Sequence, residues 1–345
     1  MLGGGVFVTQ NKTLPGSYIN FVSATTTNST LGERGTVAIA LALKKSEGTV
    51  IEVTKGDFVS KCEELLGAKY GDAIVAPLRE IFCNATKVYV YDLGEDKTVT
   101  DAINAFEAYE FNVICAYTDD STDIQTYITK VKTWRDELGK KCQLVVYNTD
   151  NVDYEGVINV VSTVSNSDAD AYVLAAWVAG AEAGCKVNES CTNKLYNGEY
   201  TIITDKTQTQ LENCIKNGQV AFHLVYGDVR MLEDINTLTT TTVDKGEDFK
   251  SNQTMRVVDQ VANDMAKLFN TKYLGKIPNN ASGRVSLWAD AVAHHRELEK
   301  IGAIEAFDAN LLTVEQGANK KSVVINDVIT VVNSMAQLYM TVVVQ

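Results

Sequence analysis

Three histidines in 345 residues leave little material for acid–base or metal chemistry. His294 and His295 are neighbours. On a helix consecutive side chains point about 100° apart, so the two suit no bidentate metal site, and one packed and one exposed ring are expected. His223 lies between Phe222 and Leu224 and reads as a strand-face residue. Gly275-Lys276 lacks the upstream glycine and the following Ser/Thr of a phosphate loop. No GxGxxG follows a strand, and GxSxG and HExxH do not occur. There is no run of about 18 apolar residues, as a membrane span needs, and no charged leader before an apolar core. Clustered Lys and Arg are missing as well: the net charge is −13, which argues against nucleic acid as a partner. No cofactor, metal, nucleic acid or membrane is expected to bind.

The seven cysteines are odd in number and scattered, and the nearest pair, Cys185 and Cys191, is not CxxC. They read as free thiols in a reducing compartment.

What is present is a globular composition, 45% hydrophobic, in a chain long enough for two domains or one large domain with an appendage. Short apolar strands are expected at 35–43, 47–53, 87–93, 112–117, 143–147, 157–164, 200–204 and 220–226. Helices are expected between them, at 58–66, 73–82, 100–110 and 208–217, with a segment starting at 171 that turns helical over 177–184. The clearest helix opens at residues 119–121: Ile124, Tyr127, Ile128, Val131, Trp134 and Leu138 recur at three and four residues, and Gly139 closes it. Fully apolar strands alternating with amphipathic helices describe a sheet covered on both faces, hence an α/β fold.

The composition shifts at Asp228. A Thr-rich exposed strand is expected at 234–243, then a helix with Met255, Val258, Ala262, Met265 and Phe269 on one face. A second helix should run from about 286 to 300, with Gly302 at its C-cap. A domain boundary is therefore expected near 230.

Both ends are unusual. Residues 322–345 hold one charge, Asp327, and no Pro, Gly, Lys or Arg; 323–332 and 341–345 are β-branched runs. An uncharged strand with open backbone groups must find a sheet, in its own domain or in a neighbouring copy by strand addition. Residues 6–10 and 18–22 are short β runs behind a Gly-rich start, so both ends read as strands on tethers. For an enzyme, the strongest position is Asp119-Asp120, after a strand's C-terminal end, where α/β ligand sites form. That pair could hold Mg²⁺ in a cytosolic α/β enzyme, and N-capping of the next helix explains it equally well.

Several stretches carry a family resemblance. They are Pro15-Gly16-Ser17-Tyr18-Ile19-Asn20, Gly32-Glu33-Arg34-Gly35, Asp234-Ile235-Asn236-Thr237-Leu238, Tyr273-Leu274-Gly275-Lys276, Gly302-Ala303-Ile304 with Phe307, and the ending with Met335, Leu338, Tyr339 and Met340. In this order the chain resembles the contractile-tail sheath proteins of myovirus-type phages, prophage-like elements and R-type bacteriocins, in the short form of Gram-positive hosts (diffocin-like or PBSX-like). The resemblance implies a structural subunit, not an enzyme. It implies a doubly wound α/β outer domain (residues 24–230), an α+β C-terminal domain (231–333), and extended N- and C-terminal β-strand arms (1–23 and 334–345). It further implies stacked hexameric rings wound around a tail tube, contracting to drive the tube through a cell envelope. Strands would be donated between subunits by Val6, Phe7, Val8 and Thr9 and by Thr341, Val342, Val343 and Val344, onto a sheet including 234–243 and 323–332. Arg284, Arg296 and Lys300 are its candidates for tube contact. The implied partners are other copies, the tail tube, and baseplate and tail-terminator proteins. Assembly would occur in the bacterial host cytoplasm, ahead of release in a particle.

Overall fold

The computed structural model describes residues 31–43, 45–166 and 169–344. Its main sheet has seven strands: β1 (Thr36–Leu41), β2 (Val50–Thr54), β3 (Lys87–Asp92), β4 (Val113–Cys115), β5 (Gln143–Tyr147), β6 (Val157–Val160) and β7 (Gln219–Val220). They lie in the order β2-β3-β1-β4-β5-β6-β7. Every pair is parallel except β2 with β3, which is antiparallel.

Side chains alternate across these strands and feed two cores. Val37, Ile39, Val88, Val90 and Val145 join one core with α1 (Phe58–Lys61), α2 (Ala76–Phe82) and α5 (Val173–Gly184). Ala38, Ala40, Tyr89, Tyr91, Leu144 and Val146 join the other with α3 (Val99–Phe106) and α4 (Ser121–Asp136). A parallel sheet covered on both faces needs strands apolar on both sides, which is how β1, β4 and β6 read. The helices start where their caps say. Thr98 and Asp101 form a capping box at α3, and Thr207 and Gln210 form one at α6 (Gln208–Lys216).

β8 (Phe222–Val225) and β9 (Asp228–Met231) form a hairpin through Tyr226 and Gly227, both at positive φ. Beyond it lie α7 (Asn252–Leu268) and α8 (Ala281–Lys300), then the hairpin of β10 (Thr313–Gln316) and β11 (Val323–Asn326). Val257, Ala291, Leu298, Ile304, Phe307 and Leu312 make a third core between them.

Several expectations change. No strand forms at 234–243. Asp234–Leu238 are buried instead, because their polar groups find side-chain and loop partners: Thr237 donates its amide to the Val157 carbonyl and its hydroxyl to Tyr154, and Asn236 donates to the Phe249 carbonyl. The strand at 157–164 stops at Val160, and 200–204 contributes one bridge, Ile202 to Val164. α5 begins at Val173 and is buried all round, so no apolar stripe marks its start. β11 ends at Asn326 rather than continuing to 332, since the next residue, Asp327, turns to His295. α8 begins at Ala281, capped by the Asn280 side chain.

α7 differs most from its apolar reading. Its first turns bury Asn252, Gln253, Thr254, Arg256, Asp259 and Gln260. Each has a partner. Asn252 accepts from Gln143 of β5, and Asp259 takes a bidentate bond from Arg135 of α4 at 2.6 and 2.8 Å. α7 is held to the sheet-bearing part of the chain by polar contacts as much as by apolar packing.

Candidate assembly interface

The β10–β11 hairpin is a two-stranded sheet, so both outer edges carry open backbone groups. It is tied to α8: Asn279 donates to the Lys320 and Ser322 carbonyls, and the Trp288 indole N–H donates to the Leu312 carbonyl. The chain then runs past Ile304, which bridges Val331, and past the N-terminus of α7. There Gln253 donates to the Val332 carbonyl and accepts the Ser334 amide, while Asn333 bonds Thr254.

After Ser334 the anchoring stops. Met335 is fully exposed, and Leu338, Tyr339, Met340, Val342, Val343 and Val344 are at least two-thirds exposed. Thr341 is exposed too, and among the described residues 335–344 no strand forms. Contiguous apolar exposure on this scale marks an interaction surface. Val6, Phe7, Val8 and Thr9 lie outside the described residues.

The described chain begins beside α7. The Gly32 amide donates to both Asp264 oxygens at 3.2 Å, and Gln260 donates to the Gly32 carbonyl and to Asp264. Arg34 donates to the Glu182 and Cys185 carbonyls. Beside it Arg256, fully buried, bonds both Glu182 and Asp234. The other oxygens of these two carboxyls have no donor unless one carries a proton. Burial, with the Asp234 carboxylate beside it, raises Glu182 well above the usual carboxylate range. Burial pushes Asp234 up as well, but the Arg256 guanidinium and the hydrogen bonds it accepts outweigh that and hold it low. Cys191 lies in the same cluster. A hydrogen bond from Cys191 brings the Cys185 thiol down to about 7.

Both rings of the His294-His295 pair are buried, against the expectation of one exposed ring. The physical reason is that each has a carboxylate partner from a distant segment, Asp264 for His294 and Asp327 for His295. No local spacing signals either pairing; the one visible sign was that Asp327 is the lone charge of the ending. His223 sits on β8, partly buried, and burial lowers its pKa.

The positions named for tube contact differ in exposure. Arg284 is half-buried and donates to Asn279, whereas Arg296 and Lys300 are exposed and pair with Glu299 and Glu297 on their own helix. Asp120 is the N-cap of α4, accepting the Thr122 and Asp123 amides at 2.8 and 3.1 Å, which also lowers its pKa. Its carboxylate is committed to that helix, and Asp119 beside it is exposed. All seven cysteines are free.

Two family descriptions match the chain: phage tail sheath protein central domain over residues 95–237, and phage tail sheath C-terminal domain over 244–345. Among curated proteins it is similar to the PBSX phage-like element protein XkdK of Bacillus subtilis, 28% identical over 70% of this chain and 55% of the relative. It is also similar to the uncharacterized protein YqbK of the same organism, 33% identical over 50% of this chain and 39% of the relative. The chain thus spans about half or less of these two relatives. A tail sheath protein of Clostridium phage phiCD119 is 27% identical over 82% of this chain and 79% of its own. In structure it is similar to a sheath tail protein of Desulfitobacterium hafniense, with TM-score 0.79 and 26% identity over 94% of this chain and 99% of the other. The contracted helical sheath of the anti-feeding prophage has the same fold, with TM-score 0.71 and 13% identity over 96% and 99%. Matched by phage tail sheath descriptions over both its central and its C-terminal parts, the chain belongs to the phage tail sheath proteins.

Proposed function

We propose that this chain polymerises as stacked hexameric rings wound helically around a tail tube, and that the sheath contracts to drive the tube through a target cell envelope. The observation that carries the reading is the exposed, uncharged segment 335–344 in a chain that also carries a two-stranded hairpin with open edges. Strand addition satisfies the backbone of both partners and buries the apolar side chains. Thr341, Val342, Val343 and Val344 are the C-terminal donor, Val6, Phe7, Val8 and Thr9 the N-terminal one, and β10–β11 the acceptor. The acceptor no longer includes 234–243, which form no strand. A heterologous contact closes into a ring where its rotation allows and builds a helix where it does not, so contacts of this kind suit rings stacked helically. Main-chain pairing keeps subunits joined while their bodies rotate. Contraction is then a one-way release of assembly energy that consumes no nucleotide.

The division into arms at 1–23 and 334–345 and domains at 24–230 and 231–333 belongs to this reading. So do the tube contacts at Arg284, Arg296 and Lys300, the partner baseplate and tail-terminator proteins, and assembly in the host cytoplasm. The anti-feeding prophage sheath, which shares the fold, has been seen in a contracted state, which supports the contraction step.

Deletion of residues 341–345 tests the reading. Negative-stain electron microscopy of the wild type at high concentration, alone or with tail tube, should show striated tubes of uniform diameter. The truncated chain should keep its circular dichroism spectrum and melting temperature yet form none. Tubes from the truncated chain would overturn the donor role.

A further inference from the structure

Two consecutive residues of α8 reach the roots of both terminal segments. His294 Nε2 lies 2.9 Å from Asp264 Oδ2. Asp264 also accepts the Gly32 amide, so the histidine fixes the carboxylate that holds Gly32. His295 Nε2 lies 2.7 Å from Asp327 Oδ2, and its Nδ1 lies 2.7 Å from the Ala291 carbonyl. Asp327 immediately follows β11, where the chain leaves the hairpin for the C-terminal segment. The two rings touch each other edge to face at 5.3 Å, and His295 packs on Phe307 at 4.8 Å. A buried polar ring is costly unless its hydrogen bonds are made, and His294 even leaves Nδ1 without a partner. For packing alone, leucine would serve better at either position. What the rings add is a directional bond to each carboxylate.

We propose that His294 and His295 are positioning residues that fix the chain at Gly32, on the N-terminal side, and at Asp327, on the C-terminal side, and couple these two points through one turn of α8. This rests on the reading of the terminal segments as inter-subunit arms. A pull on the C-terminal segment meets the Gln253, Thr254 and Ile304 contacts first; what passes them reaches Asp327, crosses the paired rings, and arrives at Gly32 through Asp264 without passing through the seven-stranded sheet. The Gln253 and Asn333 bonds hold the C-terminal root at a second point, so the pair sets its direction rather than its attachment.

The test uses the full chain and the variants H294A, H295A, H294Q, H295Q, the double alanine variant and D327N, beside the 341–345 deletion. Hydrogen exchange of the unassembled subunit is read over 31–36 and 327–334. H295A is expected to speed exchange at 327–334 by about tenfold, and H294A at 31–36 by the same order, as loss of a local anchor does. Each should also speed the opposite segment measurably. Glutamine, which keeps a donor toward each carboxylate, should restore most of the protection, which a merely space-filling role would not. The double alanine variant should lose tube formation. D327N, at a partly exposed side chain, weakens the contact to His295 without emptying the core, so it reads out the same point if H295A fails to fold. Unchanged exchange at both roots in D327N and the double variant would sink the proposal, as would wild-type tubes from the double variant. If the deletion abolishes tubes and the double variant does not, the arm reading stands and the coupling falls. If the deletion itself assembles, the arm reading falls first and this proposal with it.

Discussion

Arg256 sits at zero exposure between Glu182 and Asp234. Removing the cation leaves an unpaired carboxylate in the interior, the situation that makes a broken buried ion pair cost about 3–5 kcal/mol. Arg256→Met should therefore lower the urea midpoint by a corresponding amount. Glu182→Gln keeps a donor toward Asp234 and should cost under about 1 kcal/mol. The sign of the pH effect follows from the raised Glu182. Unfolded, its carboxyl ionises near its ordinary 4.5; folded, it holds its proton well above that. Above the unfolded value the folded state binds the extra proton, so Glu182's contribution falls as pH rises. The melting temperature of the wild type should drop more between about pH 5 and about pH 8 than that of Glu182→Gln. Equal slopes would show that Glu182 ionises normally in the fold. These groups were illegible in sequence. Asn252, Gln253, Arg256, Asp259 and Gln260 look like a solvated helix face, and only partners more than 70 positions away for Arg256–Glu182 and 120 for Asp259–Arg135 make that face an interior one.

At the scale of elements, α4 was readable because its evidence is local. Asp120 caps it, Ile124, Tyr127, Ile128, Val131 and Trp134 are buried at helical spacing, and Gly139 takes a positive φ at its end. Leu138, grouped with that face, is exposed. Asp120→Ala should cost about 1 kcal/mol in thermal unfolding, as lost caps do. The start of α5 was not readable. A helix surrounded by protein has no polar face, and its β-branched and alanine-rich opening fits a strand equally well. Gly180 shows how tightly it is packed: a Cβ there would fall within contact distance of the Ile81 backbone of α2. Gly180→Val should destabilise by at least the 1–3 kcal/mol typical of overpacking, and a stability equal to the wild type would mean that α2 and α5 can separate. The absent strand at 234–243 failed for the opposite reason. Its threonines suit a strand, but Asp234, Asn236 and Thr237 have specific partners that hold the backbone elsewhere.

For the whole molecule, the α/β alternation up to β7 was legible because the parallel strands are mostly apolar, β1 and β4 on both faces. β11 and the segment after Ser334 were legible only as strands in need of a sheet, and β10 was not read as a strand at all. Whether a neighbour supplies the pairing is not a property of one chain's periodicity. Val343→Pro removes one backbone donor and fixes φ in that segment. It touches no packed core, since Val343 is 80% exposed. Its melting temperature should match the wild type within about 1 °C, because surface changes away from packed features cost little, while light scattering should show loss of polymer. Polymer of normal mass would mean that residue 343 makes no ladder hydrogen bond.

A hairpin of two strands has two edges, and that sets a valence. If each subunit lends two strands and accepts two, every interior subunit of the lattice is saturated and every terminal one is not. One end of a finished tube then displays empty hairpin edges and the other displays unpaired strands. The two ends are chemically different surfaces, and growth from each must be stopped by a different kind of cap. Polarity of the polymer is in this sense already written into the β10–β11 pair of a single subunit.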